Sequence, residues 1–251
     1  MRRVWRRGAA AIALASCLGV GALAAPAVAE PSEGPGTANE SATPTESAPA
    51  SLVAKALVPE VGVYDTPDAP APSRVLTNPT ATNGELVFLV DAVAEGWLQV
   101  LLPVKPNGST GWIRASDVAL AANPYRIVVD LKKHRLTVFN GDQRVMRKPI
   151  GIGKEQTPTP KGRYYITQLF QPPNPNGPYG PYAYALSGYS EVLETFKGAD
   201  AIIGIHGTNR PDLVGKDVSS GCIRMRNPAI TRLASMLPLG TPVEIRGSPP
   251  R

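Results

Sequence analysis

The sequence predicts a mainly β protein with two folded parts that follow an N-terminal extension. Short apolar runs separated by turn residues recur through residues 52–247, which is typical of many short strands. The 251-residue chain also contains 27 prolines and 24 glycines, and these residues interrupt long helices. Apolar residues at helical spacing follow residue 227, and we expect one or two short helices in all.

The N-terminus has the pattern of an export signal. Four arginines lie within residues 2–7, an apolar run covers residues 8–23, and Ala27-Val28-Ala29 forms a small-residue cleavage site. We therefore predict a signal peptide over residues 1–29 and a protein exported to the cell wall or the outer face of the cytoplasmic membrane. In a second interpretation, the segment that ends in Cys17 resembles a lipobox. Cys17 would then be lipidated and would attach the chain to the membrane.

Residues 30–51 are rich in Pro, Ser, Thr, Ala and Glu and contain no basic residue. Such a composition cannot form a core, so we expect a disordered linker. The whole chain has a net charge of +6, and the mild basicity of its folded part suits an anionic polymer such as a cell wall. No basic run with interleaved aromatic residues occurs, and nucleic acid is therefore not expected as a partner.

Glycine and tryptophan recur together in residues 52–121. Gly96-Trp97 and Gly111-Trp112 each open a short apolar run, and turn residues separate these runs. Short strands joined by turns predict a small β-barrel. The spacing resembles that of bacterial SH3-like domains, which implies a wall-binding module by analogy. The two tryptophans either fill the core of the barrel or line a ligand groove.

Residues 122–247 form the second predicted part, and residues 248–251 a short tail. Apolar residues alternate over 127–131 and 136–138, which is typical of half-buried strands, and Asn140-Gly141 predicts a two-residue hairpin turn.

An irregular segment, residues 171–182, interrupts this second part. Its prolines and glycines exclude a helix or a central strand. It carries Tyr179 and Tyr182, which form a wall or lid of a substrate cleft or pack beneath a surface loop. Later in the chain, Asn227 is expected to cap a helix whose first turn contains Pro228.

Cys222 and His206 are the residues that predict an enzyme. A thiol nucleophile needs a base that removes its proton, and an imidazole is the usual one. Once Cys17 leaves with the signal peptide, Cys222 has no partner for an intramolecular disulfide. Gly221 permits a turn that directs backbone N–H groups at the oxyanion, and its own N–H is one of the predicted donors. The other histidine, His134, lies among basic residues in a predicted hairpin, and we interpret it as solvated surface.

Two short motifs surround this pair. His206-Gly207-Thr208 is followed by S-S-G-C-I-R-M over residues 219–225, and a T-P-T-P-K-G run ends the upstream segment 151–162. Together they resemble the signature of the YkuD-type L,D-transpeptidases over about residues 124–247. The resemblance implies a β-rich catalytic domain in which Cys222 attacks a tetrapeptide stem of peptidoglycan and releases D-alanine. The resulting thioester then passes to the amine of another stem, which forms a 3→3 cross-link.

The resemblance also implies residue roles. The backbone carbonyl of Gly207 orients His206, Ser219 hydrogen-bonds within the site, and Arg224 binds a substrate carboxylate or braces its loop. The predicted substrate-binding residues are Arg224, Tyr179, Tyr182, Thr208 and Asn209. Many family members have a histidine where this chain has Ser220, so a mechanism with two histidines is not expected. Asp212 and Asp217 are interpreted as solvated loop residues. No metal-ligand cluster or nucleotide loop is visible, and no metal or cofactor is expected.

Three alternatives remain open. A sortase also uses histidine, cysteine and arginine in that order, but the gap from His206 to Cys222 is short and Arg224 follows the cysteine by only two positions. An L,D-carboxypeptidase would form the same thioester and transfer it to water. A wall-binding protein with a degenerate site is the non-catalytic alternative, and the intact pair argues against it.

Overall fold

The computed structural model describes residues 50–247, which belong to one compact unit, Glu46–Arg251. The predicted signal peptide, the lipidation site at Cys17, the tail 248–251 and nearly all of the linker 30–51 lie outside the described residues. Strands dominate, which confirms the prediction of a mainly β protein. Over residues 50–247, no helix is both long enough and apolar enough to cross a membrane.

The N-terminal strands form an antiparallel sheet with a hairpin beside it. The strands are β1 (Ser51–Ala56), β2 (Glu60–Val63), β3 (Arg74–Thr77), β4 (Val87–Ala94), β5 (Trp97–Leu101), β6 (Thr110–Arg114) and β7 (Val118–Asn123). The five-stranded sheet has the order β6-β5-β4-β1-β7, and β2 pairs with β3. A short 3-10 helix, Ala115–Asp117, connects β6 to β7. Ser51, the last residue of the predicted linker, already belongs to β1.

The two tryptophans of this sheet differ in exposure. Trp97 is buried, and its ring meets that of Tyr64 edge-on at a centroid distance of 5.0 Å. The Arg114 guanidinium lies 4.9 Å from the centre of the Trp97 ring. Trp112 is half-buried and exchanges two backbone hydrogen bonds of 2.8 Å with Tyr64. Trp97 is thus a packing residue, whereas the SH3-like assignment of the segment stays a prediction.

The second part of the chain begins at Tyr125. Its strands are β8 (Tyr125–Asp130), β9 (Arg135–Asn140), β10 (Gln143–Pro149), β11 (Ile152–Gly153), β12 (Gly162–Phe170), β13 (Ala183–Tyr189), β14 (Thr195–Phe196), β15 (Ala199–Asp200), β16 (Ile202–His206), β17 (Asp217–Ser219), β18 (Ile223–Arg224) and β19 (Pro242–Arg246). Eight of them form one mixed sheet in the order β10-β9-β8-β19-β12-β13-β16-β18. Parallel pairing joins β8 to β19 and β16 to β18. The pairs β11–β17 and β14–β15 lie outside this sheet.

The alternation predicted for the first hairpin is confirmed. Ile127, Val129 and Leu131 are at most 1% exposed, and Leu136 and Val138 are fully buried. The turn differs by one position from the prediction. Asn140 pairs with Gln143, so the two turn residues are Gly141 and Asp142. Gly141 adopts a φ of 55°, the left-handed conformation that such a tight turn needs.

A single α-helix within residues 50–247, α1 (Asn227–Ala234), packs on the eight-stranded sheet, and a 3-10 helix, Pro211–Leu213, precedes β17. The buried face of α1 contains Ile230 and Leu233, and the Tyr184 hydroxyl donates to the Leu233 carbonyl at 2.9 Å. The predicted capping role of Asn227 is wrong. The N-cap is Arg226, no side chain caps the helix, and the Asn227 side chain bonds elsewhere.

The two sheets share a small core. Tyr165 of β12 is fully buried against Val53, Val87, Leu89 and Leu101 of the first sheet. Its hydroxyl donates a 3.1 Å hydrogen bond to the backbone carbonyl of Val87. The first sheet is therefore packed directly onto the strands of the second.

Candidate active site

The parallel pair of β16 and β18 brings the two predicted catalytic residues together. Ile205 pairs with Ile223 and His206 with Arg224, so Cys222 lies beside Gly204 at the start of the shorter strand. Gly204 is needed here, because a Cβ at this position would lie 2.7 Å from the Tyr184 carbonyl oxygen and 4.0 Å from Cys222 Sγ. The chain between the strands thus folds back over the end of the sheet.

Cys222 is a free, half-buried cysteine. Its Sγ lies 4.0 Å from the carbonyl oxygen of Ile202 and is hydrogen-bonded by the backbone of Gly204. Burial raises the pKa of the thiol, while the Gly204 contact and the positive charge of Arg224 offset part of that increase. The resting cysteine is therefore a protonated thiol at neutral pH, and it needs a base at the moment of attack.

His206 is 5% exposed, and its Nδ1 donates to the carbonyl of Gly207 at 2.6 Å. This bond fixes the tautomer in which Nε2 carries the free lone pair. Burial lowers the pKa of His206 to about 4, and the charge of Arg224 acts in the same direction. The ring of Tyr179 packs edge-on against the imidazole at a centroid distance of 4.9 Å. His206 is therefore neutral at pH 7 and can accept a proton through Nε2.

Hydrogen bonds hold the loop that carries Cys222. Gly221 has a φ of 116°, a conformation that side chains rarely adopt. The Ser219 hydroxyl donates to the Cys222 carbonyl at 2.6 Å and accepts from the Gly221 N–H at 3.1 Å. The Gly221 N–H, predicted as an oxyanion donor, is thus engaged by Ser219 in the resting site. Gly221 also supplies the turn that Ser219 closes, and its role as an oxyanion donor stays a prediction.

The upstream Thr-Pro repeat braces the same loop. Thr159 is buried; its hydroxyl donates to the Gly221 carbonyl at 2.8 Å and accepts from the Gly153 N–H at 2.9 Å. The Thr157 hydroxyl donates to the Ser219 carbonyl at 3.1 Å. Both threonines therefore reach across from a distant part of the sequence and fix the backbone just before the nucleophile.

Both catalytic candidates open onto one cleft of about 140 Å³. Its walls are formed by Pro178, Tyr179, Phe196, Lys197, Ala201, Ile202, Ile203, His206, Ser219, Ser220, Cys222 and Arg224. Arg224 and Lys197 are cations, and no acidic residue belongs to this lining. The Nε of Arg224 is buried and has no hydrogen-bond partner in the described part of the chain. The cleft therefore suits an anionic substrate group close to a thiol and a neutral imidazole.

Comparison with known proteins identifies the family of the chain. The family model of the L,D-transpeptidase catalytic domain, YkuD, matches residues 124–245. The YkuD protein of Bacillus licheniformis is 38% identical over 169 residues, which cover 64% of this chain and 94% of that protein. The chain belongs to the YkuD family of L,D-transpeptidases.

Two further proteins are similar over a shorter part of the chain. YkuD of Bacillus subtilis strain 168 is 40% identical over 122 residues, which cover 49% of this chain and 66% of that protein. A solved structure, Bd1075 of Bdellovibrio bacteriovorus, is 29% identical with a TM-score of 0.40 and covers 49% of this chain and 48% of that one. The matched region is thus about half of the Bd1075 chain.

The cleft of this L,D-transpeptidase contains only part of the predicted substrate-binding set. Tyr179 and Arg224 line it, whereas Tyr182, Thr208 and Asn209 do not. Tyr182 packs against the hydrophobic core, and its carbonyl accepts the Gly207 N–H at 3.2 Å. Thr208 is buried, and its N–H donates to Asn227 Oδ1 at 2.8 Å. Tyr182 and Asn227 thus support the His206 loop from behind.

The sequence did not predict that Phe196 and Lys197 line the cleft of this L,D-transpeptidase. They lie at the tip of the β14–β15 hairpin, where Lys197 Nζ is 5.4 Å from the centre of the Tyr179 ring. Neither residue belongs to a motif, and neither lies near Cys222 in the sequence. The β14–β15 hairpin lies between β13 and β16 in the sequence, and the pairing of those two strands places it at the cleft. No pattern in the sequence of the hairpin itself predicts this position.

Two predictions about polar residues need correction. His134 is not solvated surface, because its side chain is 17% exposed and its Nε2 is hydrogen-bonded to the Asp217 carboxylate. The prediction that Asp217 is a solvated loop residue is therefore also wrong. The pairing follows from β17, which places Asp217 beside the β8–β9 turn. Asp212 is exposed, as predicted, and forms an ion pair with Arg210 at 2.9 Å.

We expect Thr159→Val to weaken both the fold and the active-site loop. Valine keeps the shape but leaves the Gly153 N–H and the Gly221 carbonyl buried without partners, at a cost of about 2–4 kcal/mol in the free energy of unfolding. Misplacement of the nucleophile should also lower kcat by roughly tenfold. Chemical denaturation and D-alanine release measure the two effects.

Thr167→Val is the matched control for that substitution. Thr167 donates only to the Ala185 carbonyl, at 3.2 Å, and lies in β12 away from the cysteine loop. Equal loss of kcat in both variants would contradict a specific bracing role for Thr159.

Proposed function

We propose that this L,D-transpeptidase is exported and acts on the tetrapeptide stems of peptidoglycan, with Cys222 as nucleophile and His206 as general base. The observation that carries the proposal is the state of His206. Its Nδ1 is engaged by Gly207 and its pKa is lowered to about 4, so a neutral Nε2 is available in the cleft that Cys222 shares. A protonated thiol beside a neutral imidazole is a pair set up for general-base attack.

In the first step, Cys222 Sγ attacks the carbonyl carbon of the third residue of the stem, a diamino acid. His206 Nε2 takes the thiol proton as the C–S bond forms. The C–N bond to the terminal D-alanine then breaks, and the imidazolium returns the proton to the leaving amine. The products of this half-reaction are free D-alanine and a thioester on Cys222.

In the second step, the side-chain amine of another stem attacks the thioester. His206 removes a proton from that amine, the C–S bond breaks, and the thiolate recovers the proton. The new amide is a 3→3 cross-link between two stems. If water attacked instead, the same thioester would be hydrolysed and the enzyme would act as an L,D-carboxypeptidase.

We infer that Arg224 holds a carboxylate of the donor stem. Its buried Nε lacks a partner within residues 50–247, and an unpaired buried donor is costly unless a ligand satisfies it. Lys197 adds a second positive charge to the cleft wall, next to Tyr179. A guanidinium fork suits a carboxylate better than an ammonium does, so Arg224 is the primary contact and Lys197 assists.

The export proposal rests on the N-terminal sequence pattern, and the acidic low-complexity linker suits a protein that reaches through a wall mesh. By analogy, the first sheet is proposed to contact wall as an SH3-like module. A wall-binding protein without catalysis remains the second candidate from a different class. The intact Cys222–His206 pair argues against it.

The decisive experiment is intact-protein mass spectrometry of the purified protein after incubation with a disaccharide-tetrapeptide. We expect an acyl adduct on Cys222, release of D-alanine, and cross-linked dimer in the same mixture. Cys222→Ala should lose all three, whereas Ser116→Ala, at an exposed serine outside the cleft, should keep them. A folded sample with neither adduct nor D-alanine would contradict the catalytic proposal and favour the binding role.

The mass of the same protein tests export. A mature chain that begins at residue 30 would support cleavage of the predicted signal peptide after Ala29. A lipidated chain that begins at Cys17 would contradict that cleavage and would support attachment of the protein to the membrane.

A further inference from the structure

The outer face of strands β8, β9, β10 and β19 carries a concentration of cations. The inner face of these strands contributes apolar side chains to the core, so the pleat places the alternate residues on the opposite face. Seven cations lie on that face or in its β8–β9 turn: Arg126, Lys132, Lys133, Arg135, Arg144, Arg147 and Arg246. Five of the seven are arginines. We call this surface the basic sheet face.

The strand register arranges these cations in rows. In one row, Arg144 and Arg126 flank Phe139, one strand away on either side. In another row, Asp130 is the cross-strand neighbour of both Arg135 and Arg246, one strand away on either side. Cations two strands apart are about 10 Å from each other along a row. Most of them border a shallow groove of about 220 Å³ that crosses the face.

The acidic residues at this face do not balance its positive charge. Asp130 pairs with Lys133 and Glu244 with Arg246, both at 3.7 Å, and a third acid, Asp142, lies in the β9–β10 turn. Arg135, Arg144 and Arg147 form no salt bridge with another residue of the range 50–247. Because Arg144 and Arg147 are exposed on an edge strand, both guanidinium groups can reach a ligand in the groove.

The basic sheet face is separate from the catalytic cleft. Strand β10 is one edge of the eight-stranded sheet and β18, which follows Cys222, is the other. The groove and the cleft share no lining residue. A ligand on this face would therefore hold the enzyme without occupying the site of the reaction.

We propose that the basic sheet face binds a linear wall polymer whose charges are phosphodiesters, such as a polyol phosphate. Arginine forks bind phosphate oxygens in a bidentate manner, and rows of cations match a ligand that repeats its charge. The choice of a wall polymer rests on the export proposed above. The face would then keep the L,D-transpeptidase on the wall while its cleft acts on stems.

Two observations disfavour other polyanions. A single-stranded nucleic acid needs aromatic faces for its bases, but the guanidinium of Arg126 lies 3.9 Å from the centre of the Phe139 ring and covers it. An anionic membrane surface is usually met by cations together with exposed large apolar side chains. The exposed large apolar residues of the described chain, such as Leu57, Val93 and Val192, lie on other elements.

The test is binding of the full chain to poly(glycerol phosphate), measured at low and at physiological salt. We expect Arg144→Gln/Arg147→Gln to weaken binding by about tenfold or more and to lower the slope of log affinity against log salt by about two. The control Lys55→Gln/Arg74→Gln removes the same charge from exposed positions of β1 and β3 and should have little effect. D-alanine release from a soluble tetrapeptide should be unchanged in both double variants.

Binding of the polymer is also measured with Cys222→Ala, and we expect this variant to bind as the wild type does. The binding result therefore stands even if the catalytic proposal fails. Three outcomes would overturn the inference: no binding of the polymer, equal losses in the two double variants, or tighter binding of single-stranded DNA or phosphatidylglycerol vesicles than of the polymer. The last outcome would assign the face to a different class of partner.

Discussion

Replacing His206 with alanine is expected to lower kcat/KM for D-alanine release by roughly a thousandfold. The thiol of Cys222 has a raised pKa because it is buried, so little thiolate exists at neutral pH without a base. No second imidazole of the described chain lines the cleft, because position 220 is a serine and His134 is bonded to Asp217. The loss should therefore fall on kcat rather than on binding.

The pH profile distinguishes a catalytic role from a structural one. A base must be neutral to act, and the pKa of His206 is about 4, so we expect the acid limb of kcat/KM near pH 4 rather than near 6.5. In His206→Ala this limb should disappear, and the residual rate should rise with hydroxide concentration. An acid limb near pH 6.5 in the wild-type enzyme would contradict a buried, neutral His206.

The same shift has a consequence for stability. Between pH 6.5 and about 4 the unfolded chain binds a proton at His206 that the folded chain does not, so this residue makes stability fall as the pH drops through that window. The full effect is on the order of 3 kcal/mol and is complete below pH 4. Urea unfolding of the wild-type enzyme and His206→Gln at both ends of the window isolates this contribution. Parallel slopes in the two proteins would contradict it.

Much of the site could be predicted because its chemistry is local in sequence. The two motifs place Cys222 and His206 within one short segment, and the alternation over 127–131 identifies a strand from residue types alone. What connects distant segments could not be predicted. Asn227 has the sequence context of a helix cap, yet its side chain bonds Thr208, because the β16–β18 pairing brings the helix start beside the His206 loop.

The same reason explains the error about His134. Its basic neighbours in the sequence predict a solvated side chain, but its partner Asp217 is 83 positions away. Gly221 shows a second kind of contact that residue types do not reveal. Its N–H, the predicted oxyanion donor, is hydrogen-bonded to the Ser219 hydroxyl two residues earlier in the resting site. Hydrogen-bond partners within a tight loop depend on backbone angles that residue types alone do not specify.

Tyr165→Ala is expected to destabilise the protein by about 3–5 kcal/mol, which corresponds to a fall in Tm of about 10 °C. Tyr165 is fully buried where the two sheets meet, and alanine would leave a cavity bordered by Val87, Leu89 and Leu101. Tyr165→Phe keeps the ring and removes only the hydrogen bond to the Val87 carbonyl, so we expect a loss of about 1–2 kcal/mol. Phe196→Ala, at an exposed aromatic residue, should cost little stability.

The variant also tests whether the two sheets unfold as one body. Fluorescence of Trp97 and Trp112, in a Trp5→Phe background, follows the first sheet, and the alkylation rate of Cys222 follows the second. Because Tyr165 joins them and Arg163 of β12 also pairs with Asp91 of β4 at 2.6 Å, both transitions should shift together in Tyr165→Ala. If the tryptophan transition stayed in place while Cys222 became accessible at lower temperature, the first sheet would be an independent module. A joint shift would instead mean that the first sheet supports the catalytic fold whatever it binds, because its strands form one wall of the core that fixes β12.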